Sequence, residues 1–323
     1  MKLLAMGKLL TLTGLSLVFS IGHAAYPDRP IKIVTPFAAG SGPDANAREA
    51  ANELQKQLGV SVVIENKPGA SGEIGNAAAA RAKPDGYTLL IGSTSTLSIQ
   101  PHLYKKSDID IEKDFVPVSL MGVMNTGLIA NPQVKMKDMQ DLIARLKAKP
   151  ESFNFGTMGA GSYSHLSAQW FGIVTGTKPV LIPYSTTTPF SDLMAGQVQF
   201  VFDALPAAIG AVQTGKLKLL AITGDQRHPN FPNVPTFAEL GLKNFEPLAW
   251  QGLLAPAGTP PEVINKLGVA MQKMTENKAL ADKWEKLYGG KLIGSSPEEF
   301  KKFITEDSAK WLKIIRHAGI ETD

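Results

Sequence analysis

The chain is expected to fold as an α/β protein of two lobes, and three observations point that way. Short β-branched runs alternate with helix-length segments: "IKIVT" (31–35), "SVVIEN" (61–66) and "YTLLIG" (87–92), then "PVLIPY" (179–184), "VQFVFDA" (198–204) and "LKLLAIT" (217–223). Strands separated by helices imply parallel pairing through right-handed crossovers. The 323 residues are also enough for two lobes, each with an ordinary core. Finally, two glycine-rich strand-to-helix turns read alike, "VTPFAAGSGPDANAR" at 34–48 and "NFGTMGAGSYSHLSA" at 154–168, one in each half.

Residues 1–24 come first. Lys2 and Lys8 precede an apolar stretch from Leu9 to Ile21, and Gly22-His23-Ala24 supplies small residues at its end. That is the order of a cleaved secretory signal, with an apolar run too short for a stable membrane span. The mature chain is expected to begin at Ala25 or Tyr26. It has no cysteine, so neither a lipobox nor a disulfide framework is available to it.

The elements follow in order. After 31–35, "DANAREAANELQKQLG" places Ala47, Ala51, Leu54 and Leu58 at helical spacing and ends on Gly59. "KPGASGEIG" reads as a turn-rich loop into an alanine-rich helix near 74–82, ended by Pro84-Asp85-Gly86. A less regular stretch is expected at 100–125. Alternation then resumes with "GLIA" (127–130), the helix of "MKDMQDLIARLKAK", the strand "FNFGT" (153–157) and a helix through "SHLSAQWFGIV". Helices near 188–196 and 205–214 separate the later strands, and "LAWQGLLAP" (248–256) reads as a long strand. Three helices close the chain at about 260–275, 277–287 and 297–317. Pro260-Pro261 and Pro297 stand at helix starts, where a missing N–H costs nothing. The organisation expected is a signal at 1–24, a first lobe from 25–125 plus 224–323, and a second lobe at 126–223, with the final helices covering the first.

Charge and motifs exclude several function classes. Of 33 basic and 29 acidic residues, the signal holds two lysines and no acid, leaving 31 against 29, a formal +2. The remaining lysines are scattered with no basic run, so no nucleic-acid partner is expected. "GASGEIG" (69–75) has the wrong glycine spacing for a dinucleotide fingerprint, and "GAGSYS" lacks the Gly-Lys-Ser/Thr ending of a P-loop. Five histidines occur, none in an H-x-x-x-H pair, so neither a metal nor another cofactor is expected. Ser93, Ser95, Ser162, His165 and Asp203 contain the side chains of a Ser-His-Asp set, yet no G-x-S-x-G elbow accompanies them. No catalytic residue is assigned.

The two turns suit binding. In parallel α/β sheets ligands sit beyond the carboxyl ends of strands. Helix N-termini there present unpaired N–H groups and partial positive charge to an anion. Neither turn contains a lysine or arginine before Arg48, so backbone donors are expected to replace cations. Three roles stand open for His165: donating to a ligand, capping its turn, or packing.

Several stretches carry a resemblance. "PFAAGSGPDANAR" (36–48), "VVIENKPGASGEIGNAAAARAKPDGYTLLIGSTST" (62–96) and "PYSTTTPFSDLMAGQVQFVFDALPAAIGAVQTGKLKLLAIT" (183–223) resemble the Bug family of extracytoplasmic solute receptors of tripartite tricarboxylate transporters. "PNVPTFAELGL" (232–242) and "WQGLLAPAGTPPEVINKL" (250–267) extend the likeness over nearly all of the mature chain. The resemblance implies a Venus-flytrap, periplasmic-binding-protein fold that closes over a small mono- or dicarboxylate, possibly aromatic, and hands it to a membrane permease. A monomer is expected. The alternatives are a binding module feeding a signalling receptor and a secreted Ser-His hydrolase.

The family's binding loops fall on this chain as follows. The first covers Phe37, Ala38, Ala39, Ser41 and Asp44, and the loop after the third strand covers Ser93, Thr94 and Ser95. The second turn covers Thr157, Ala160, Gly161, Ser162 and His165. The Pro-Tyr segment covers Tyr184, Ser185 and Thr186. Asp203 ends a strand beside the expected cleft, where it either recognises a ligand N–H or hydroxyl or caps the following helix. Departures are visible: Ala38 and Ala39 stand where prolines are common, Ser41 where glycine is, and Pro43 where threonine is. Ser185 replaces a frequent lysine or arginine, which argues against a simple anion pair there.

Overall fold

The computed structural model describes residues 26–104, 107–184 and 188–320; the signal-like segment, Ser185 and Thr186 lie outside them. The chain opens with β1 (Ile31–Thr35), α1 (Gly42–Leu58), β2 (Val62–Asn66), α2 (Glu73–Ala80), β3 (Thr88–Ser93), the short α3 (Gln100–Leu103) and α4 (Ile111–Asp114), and β4 (Phe115–Met124). It continues through β5 (Thr126–Ala130), α5 (Met139–Ala148), β6 (Asn154–Thr157), α6 (Tyr163–Thr175), β7 (Val180–Pro183), α7 (Phe190–Ala195), β8 (Phe200–Ala204), α8 (Ile209–Gln213) and β9 (Lys218–Ile222). It closes with β10 (Ala249–Pro256), α9 (Pro261–Lys273), α10 (Lys278–Tyr288), β11 (Lys291–Leu292) and α11 (Pro297–Ala318).

Two sheets result, one per lobe. The first runs β11-β4-β10-β3-β1-β2 and the second β7-β6-β8-β5-β9. Helix boundaries follow local chemistry. Ser41 caps α1, and Gly59 ends it in the left-handed conformation with its N–H on the Gln55 carbonyl. A reciprocal Ser296–Glu299 capping box with Pro297 at the first helical position opens α11.

Three expectations are corrected. The stretch 100–125 is not irregular, because it holds β4, ten residues paired antiparallel with β10. Pro117 hides this strand from a sequence reading. It is tolerated because β11 pairs only with Gly122 and Val123, which leaves the Pro117 region on a sheet edge. Parallel pairing holds for β1–β2, β1–β3, β6–β7 and β6–β8. However, β5 lies antiparallel to both β8 and β9 although α5 separates it from β6. Only Asn125 divides β4 from β5, so the direction of β5 is set by the crossing between sheets and not by a crossover helix.

The final helices also do more than cover the first lobe. α11 packs on β4 and reaches α6 of the second lobe, where the fully buried Trp311 meets the ring edges of Tyr163 at 5.6 Å and Trp170 at 5.5 Å. Outgoing and returning chains are stitched where they cross. The Thr126 amide donates to Thr223 Oγ1 at 2.8 Å, and the Thr223 amide donates to the Thr126 carbonyl at 2.9 Å.

Candidate ligand-binding site

The first turn is built around a buried carboxylate. Asp44, in the first turn of α1, is 1% exposed. Its Oδ2 accepts the Gly40 amide at 2.8 Å and Arg48 Nε at 3.0 Å, and its Oδ1 accepts Asn66 Nδ2 at 2.7 Å. Asn66 Nδ2 also donates to the Phe37 carbonyl at 3.0 Å. Burial pushes the Asp44 pKa up, but the hydrogen bonds from Asn66, Arg48 and Gly40 outweigh it and hold the carboxyl below its ordinary value. Ser41 Oγ accepts the Asp44 amide at 3.4 Å. Ser41 and Asp44 therefore brace the turn from behind, while Ala38 and Ala39 are exposed at its tip.

The second turn is braced by neutral groups. Ser162 Oγ caps α6 by accepting the His165 amide at 3.2 Å, and donates its proton to the Gly159 carbonyl at 2.7 Å. The Gly161 amide donates to His165 Nδ1 at 3.0 Å, and the Met158 amide to Ser164 Oγ at 2.8 Å. Through Nδ1 His165 caps this turn, and its ring proton then sits on Nε2. Burial lowers its pKa and favours the neutral ring that this bond requires. Gly161 has φ 72°, and a Cβ there would lie 2.5 Å from Leu103 Cδ1. The left-handed backbone favours glycine here, and a side chain would also press on Leu103 of the first lobe.

Two further segments complete the site. Gly69, Ala70, Ser71 and Gly72 have φ of 123°, 45°, 53° and 102°, a left-handed run that includes two non-glycine residues. Such a conformation persists only where the surroundings enforce it. Gln100 Nε2 donates to the Ala70 carbonyl at 3.3 Å, Ser71 Oγ pairs with Tyr104 OH at 2.8 Å, and a Cβ on Gly72 would strike Thr96 Cγ2 at 2.6 Å. Residues Thr94–Ile99 wind as a π-helix, a form that recurs at functional sites.

These four segments enclose a cleft of about 290 Å³ between the lobes. Phe37, Ser95, Ala160, Gly161 and Ser162 of the expected set line it. So do Ser71, Thr96, Gln100, Leu103, Tyr104 and Met158, which the sequence reading did not single out. Ser71 and Thr96 lie in the family motif quoted for 62–96 and Met158 inside the second turn, whereas no local signal marked Gln100, Leu103 or Tyr104. Among the described lining residues none is charged. A groove of about 570 Å³ lies between the 223–248 return and α10. It is larger, but neither glycine-rich turn reaches it.

The other expected residues that the structure describes lie outside the lining. Thr94 Oγ1 donates to the Leu248 carbonyl at 3.2 Å and accepts the Trp250 amide at 2.9 Å, tying β3 to the returning chain. The Ser93 amide donates to Thr96 Oγ1 at 3.0 Å. Thr157 is fully buried, and its carbonyl accepts the Tyr184 amide at 2.8 Å. Tyr184 OH donates to Asp192 Oδ2 at 2.7 Å; burial, then that carboxylate, push its pKa up to about 12. Asp203 Oδ1 accepts the adjacent Ala204 amide at 2.8 Å, and burial pushes its pKa up to about 7.

Two sheets exchanging the chain twice, with a cleft closed by turns from both, define a two-lobed solute-binding protein. Known proteins agree. The family model described as "Tripartite tricarboxylate transporter family receptor" matches residues 46–320. Protein BugT of Bordetella pertussis is 35% identical over 300 residues, covering 91% of this chain and 90% of BugT. Among solved structures, the periplasmic binding protein BugD superposes with TM-score 0.80 at 32% identity, over 92% of this chain and all of the other. MatC from Rhodopseudomonas palustris with bound malate gives 0.78 at 31%, over 90% of this chain and 100% of MatC. The chain belongs to the tripartite tricarboxylate transporter receptor family, as its Bug-like motifs implied.

Proposed function

We propose that the protein is exported through residues 1–24 and closes its two lobes, 25–125 plus 224–323 and 126–223, over a small organic carboxylate. It then delivers that ligand, as a monomer, to the membrane permease of a tripartite tricarboxylate transporter. One observation carries the reading: a cleft shared by both lobes, lined at its second turn by Ala160, Gly161 and Ser162, the last of them the cap of α6, and by no charged side chain among the described residues. The first amides of a helix have no acceptors within it and bear partial positive charge, so they receive a carboxylate without a cation. Malate in MatC is in keeping with this. Among the described residues no helix is long and apolar enough to cross a membrane.

A hydrolytic role finds less support. The Ser162 proton goes to the Gly159 carbonyl, and His165 Nδ1 is engaged by the Gly161 amide. A thermal-shift screen of mono-, di- and tricarboxylates tests the receptor reading. A true ligand at 100 times its Kd adds about 2.7 kcal/mol of stability. A panel in which no carboxylate raises the melting temperature would sink it.

A further inference from the structure

We propose that Asp203 holds a proton whenever the cleft holds its carboxylate, so that capture of the ligand anion draws a proton from solvent. This rests on the receptor reading above and adds a regulation to the same site.

Asp203 stands near the carboxyl end of β8 (Phe200–Ala204). Its neighbour β6 runs parallel, with Phe155 opposite Phe200 and Gly156 opposite Val201. Carried two residues forward, that register sets Asp203 beside Met158, which lines the cleft. Neighbouring strands lie about 4.8 Å apart. An anion held at the second turn and a charge on Asp203 are therefore close, and between partly buried groups salt screens little.

Nothing among the described residues stabilises that charge except one amide. Asp203 Oδ1 accepts the adjacent Ala204 N–H at 2.8 Å, whereas Oδ2 is buried and has no hydrogen-bond partner there. Asp44 is the contrast, keeping its charge by accepting from Gly40, Arg48 and Asn66. A carboxylate without donors is costly out of water, and that cost lifts the Asp203 pKa to about 7. In the empty protein the group is thus divided near neutral pH between acid and anion. A ligand carboxylate close by disfavours the anion again, and the acid form wins.

The elements packed against β8 supply no competing charge. β5 and β6 carry no titratable residue. On α6, Tyr163 pairs its hydroxyl with Thr126 Oγ1; burial first, and the nearby Asp203 and Asp307 carboxylates after it, push its pKa up, so it stays neutral. His165 is neutral at pH 7 because burial lowers its pKa. Asp192 of α7 accepts the Tyr184 hydroxyl. Behind Tyr163, Asp307 of α11 is also raised by burial, but its Oδ2 accepts Trp250 Nε1 at 2.8 Å and Lys310 favours its charge.

Calorimetry on the exported protein with malate, adipate and benzoate tests this, each titrated at pH 7 in phosphate and in Tris, two buffers of different ionisation enthalpy. For the tightest of them the difference in heat should report uptake of about half a proton, the share that a group with a pKa of about 7 still lacks. Affinity should fall about fivefold from pH 7 to pH 8 as the empty protein loses that proton. Asp203→Asn keeps an acceptor for the Ala204 amide and cannot ionise. It should bind at pH 8 as tightly as at pH 7, with no proton uptake. Equal heats in the two buffers for the wild type overturn the inference and leave the receptor reading intact. A wild-type pH profile retained by Asp203→Asn overturns it too, because the proton then belongs to another group. If no carboxylate binds at any pH, the receptor reading fails and this inference with it. The wild-type comparison needs no variant, so it decides the matter even if Asp203→Asn does not fold.

Discussion

The turn after β1 and the turn after β6 hold similar backbone shapes by different chemistry. The first is organised by a charge: the Asp44 carboxylate gathers the Gly40 amide, Asn66 and Arg48, and Asn66 in turn holds the Phe37 carbonyl. The second is organised by neutral groups, with Ser162, Ser164 and His165 each binding an amide of the turn or the helix start. In both, the side chains brace the loop, and the cleft face keeps no charge among the described residues. A cation-free cleft therefore does not mean a charge-free scaffold. Charge sits behind the loop, where it fixes the backbone without offering a ligand an ion pair.

The sharpest test of this difference removes the charge. Asp44→Ala removes a buried carboxylate that accepts from the Gly40 amide, Asn66 Nδ2 and Arg48 Nε, and hydrogen bonds to a charged group are worth about 1.5–3 kcal/mol each. Urea unfolding should register a loss of about 3 kcal/mol, and carboxylate binding should weaken because the Phe37 turn loses its anchor. A loss below about 1 kcal/mol would mean that the first turn is held by its backbone alone, and the comparison would collapse.

Much of this architecture was legible in the sequence because periodicity and caps are local signals. β1, β2 and β3, the helices α1 and α2, and the final α11 fall where hydrophobic spacing, Gly59 and Pro297 place them. Both turns were legible too, through their glycines. What escaped depends on distant contacts. β4 exists because β10, more than a hundred residues later, pairs with it, and Pro117 conceals it. The left-handed run at 69–72 is enforced by Gln100 and Tyr104 from α3 and its end, and no local propensity predicts φ > 0 at Ala70 and Ser71. The roles of Ser162 and His165 were visible only as alternatives. Whether a hydroxyl donates to a ligand or to its own turn is decided by geometry, which residue type alone does not specify.

A smaller effect should separate the turns by pH. His165→Ala deprives the Gly161 amide of its acceptor and should cost about 1 kcal/mol at pH 7. The folded-state pKa of His165 is lowered by burial, so the unfolded chain binds more protons below its pKa of about 6.5. The contribution of His165 is thus present above that value and lost as pH falls through the lower folded one. Asp44 also has a lowered pKa, but its unfolded reference is about 3.9. The gap between wild type and His165→Ala should narrow from pH 7 to 5, while the gap to Asp44→Ala stays level until pH drops below about 4. Parallel narrowing of both gaps would show that a single charge network governs the two turns.

The smallest effect concerns Arg48, the only lysine or arginine within the stretches 34–48 and 154–168. Its guanidinium meets Asp44 Oδ2 at 3.0 Å and Asn66 Oδ1 at 3.1 Å, yet its side chain is 50% exposed. A pair with one solvated partner and i, i+4 spacing contributes about 0.5 kcal/mol. Arg48 is also absent from the cleft lining. Arg48→Ala should therefore cost well under 1 kcal/mol in urea and change carboxylate affinity less than threefold, and moderate salt should mask even that. The neutral donors on Asp44, the Gly40 amide and Asn66, remain in place in this variant. If Arg48→Ala were as damaging as Asp44→Ala, the carboxylate would need its cation to stay buried, and the first turn would be an ion pair with accessories. If it abolished binding in a folded protein, a guanidinium would be reaching the ligand, and recognition by backbone amides would have to be abandoned for that lobe.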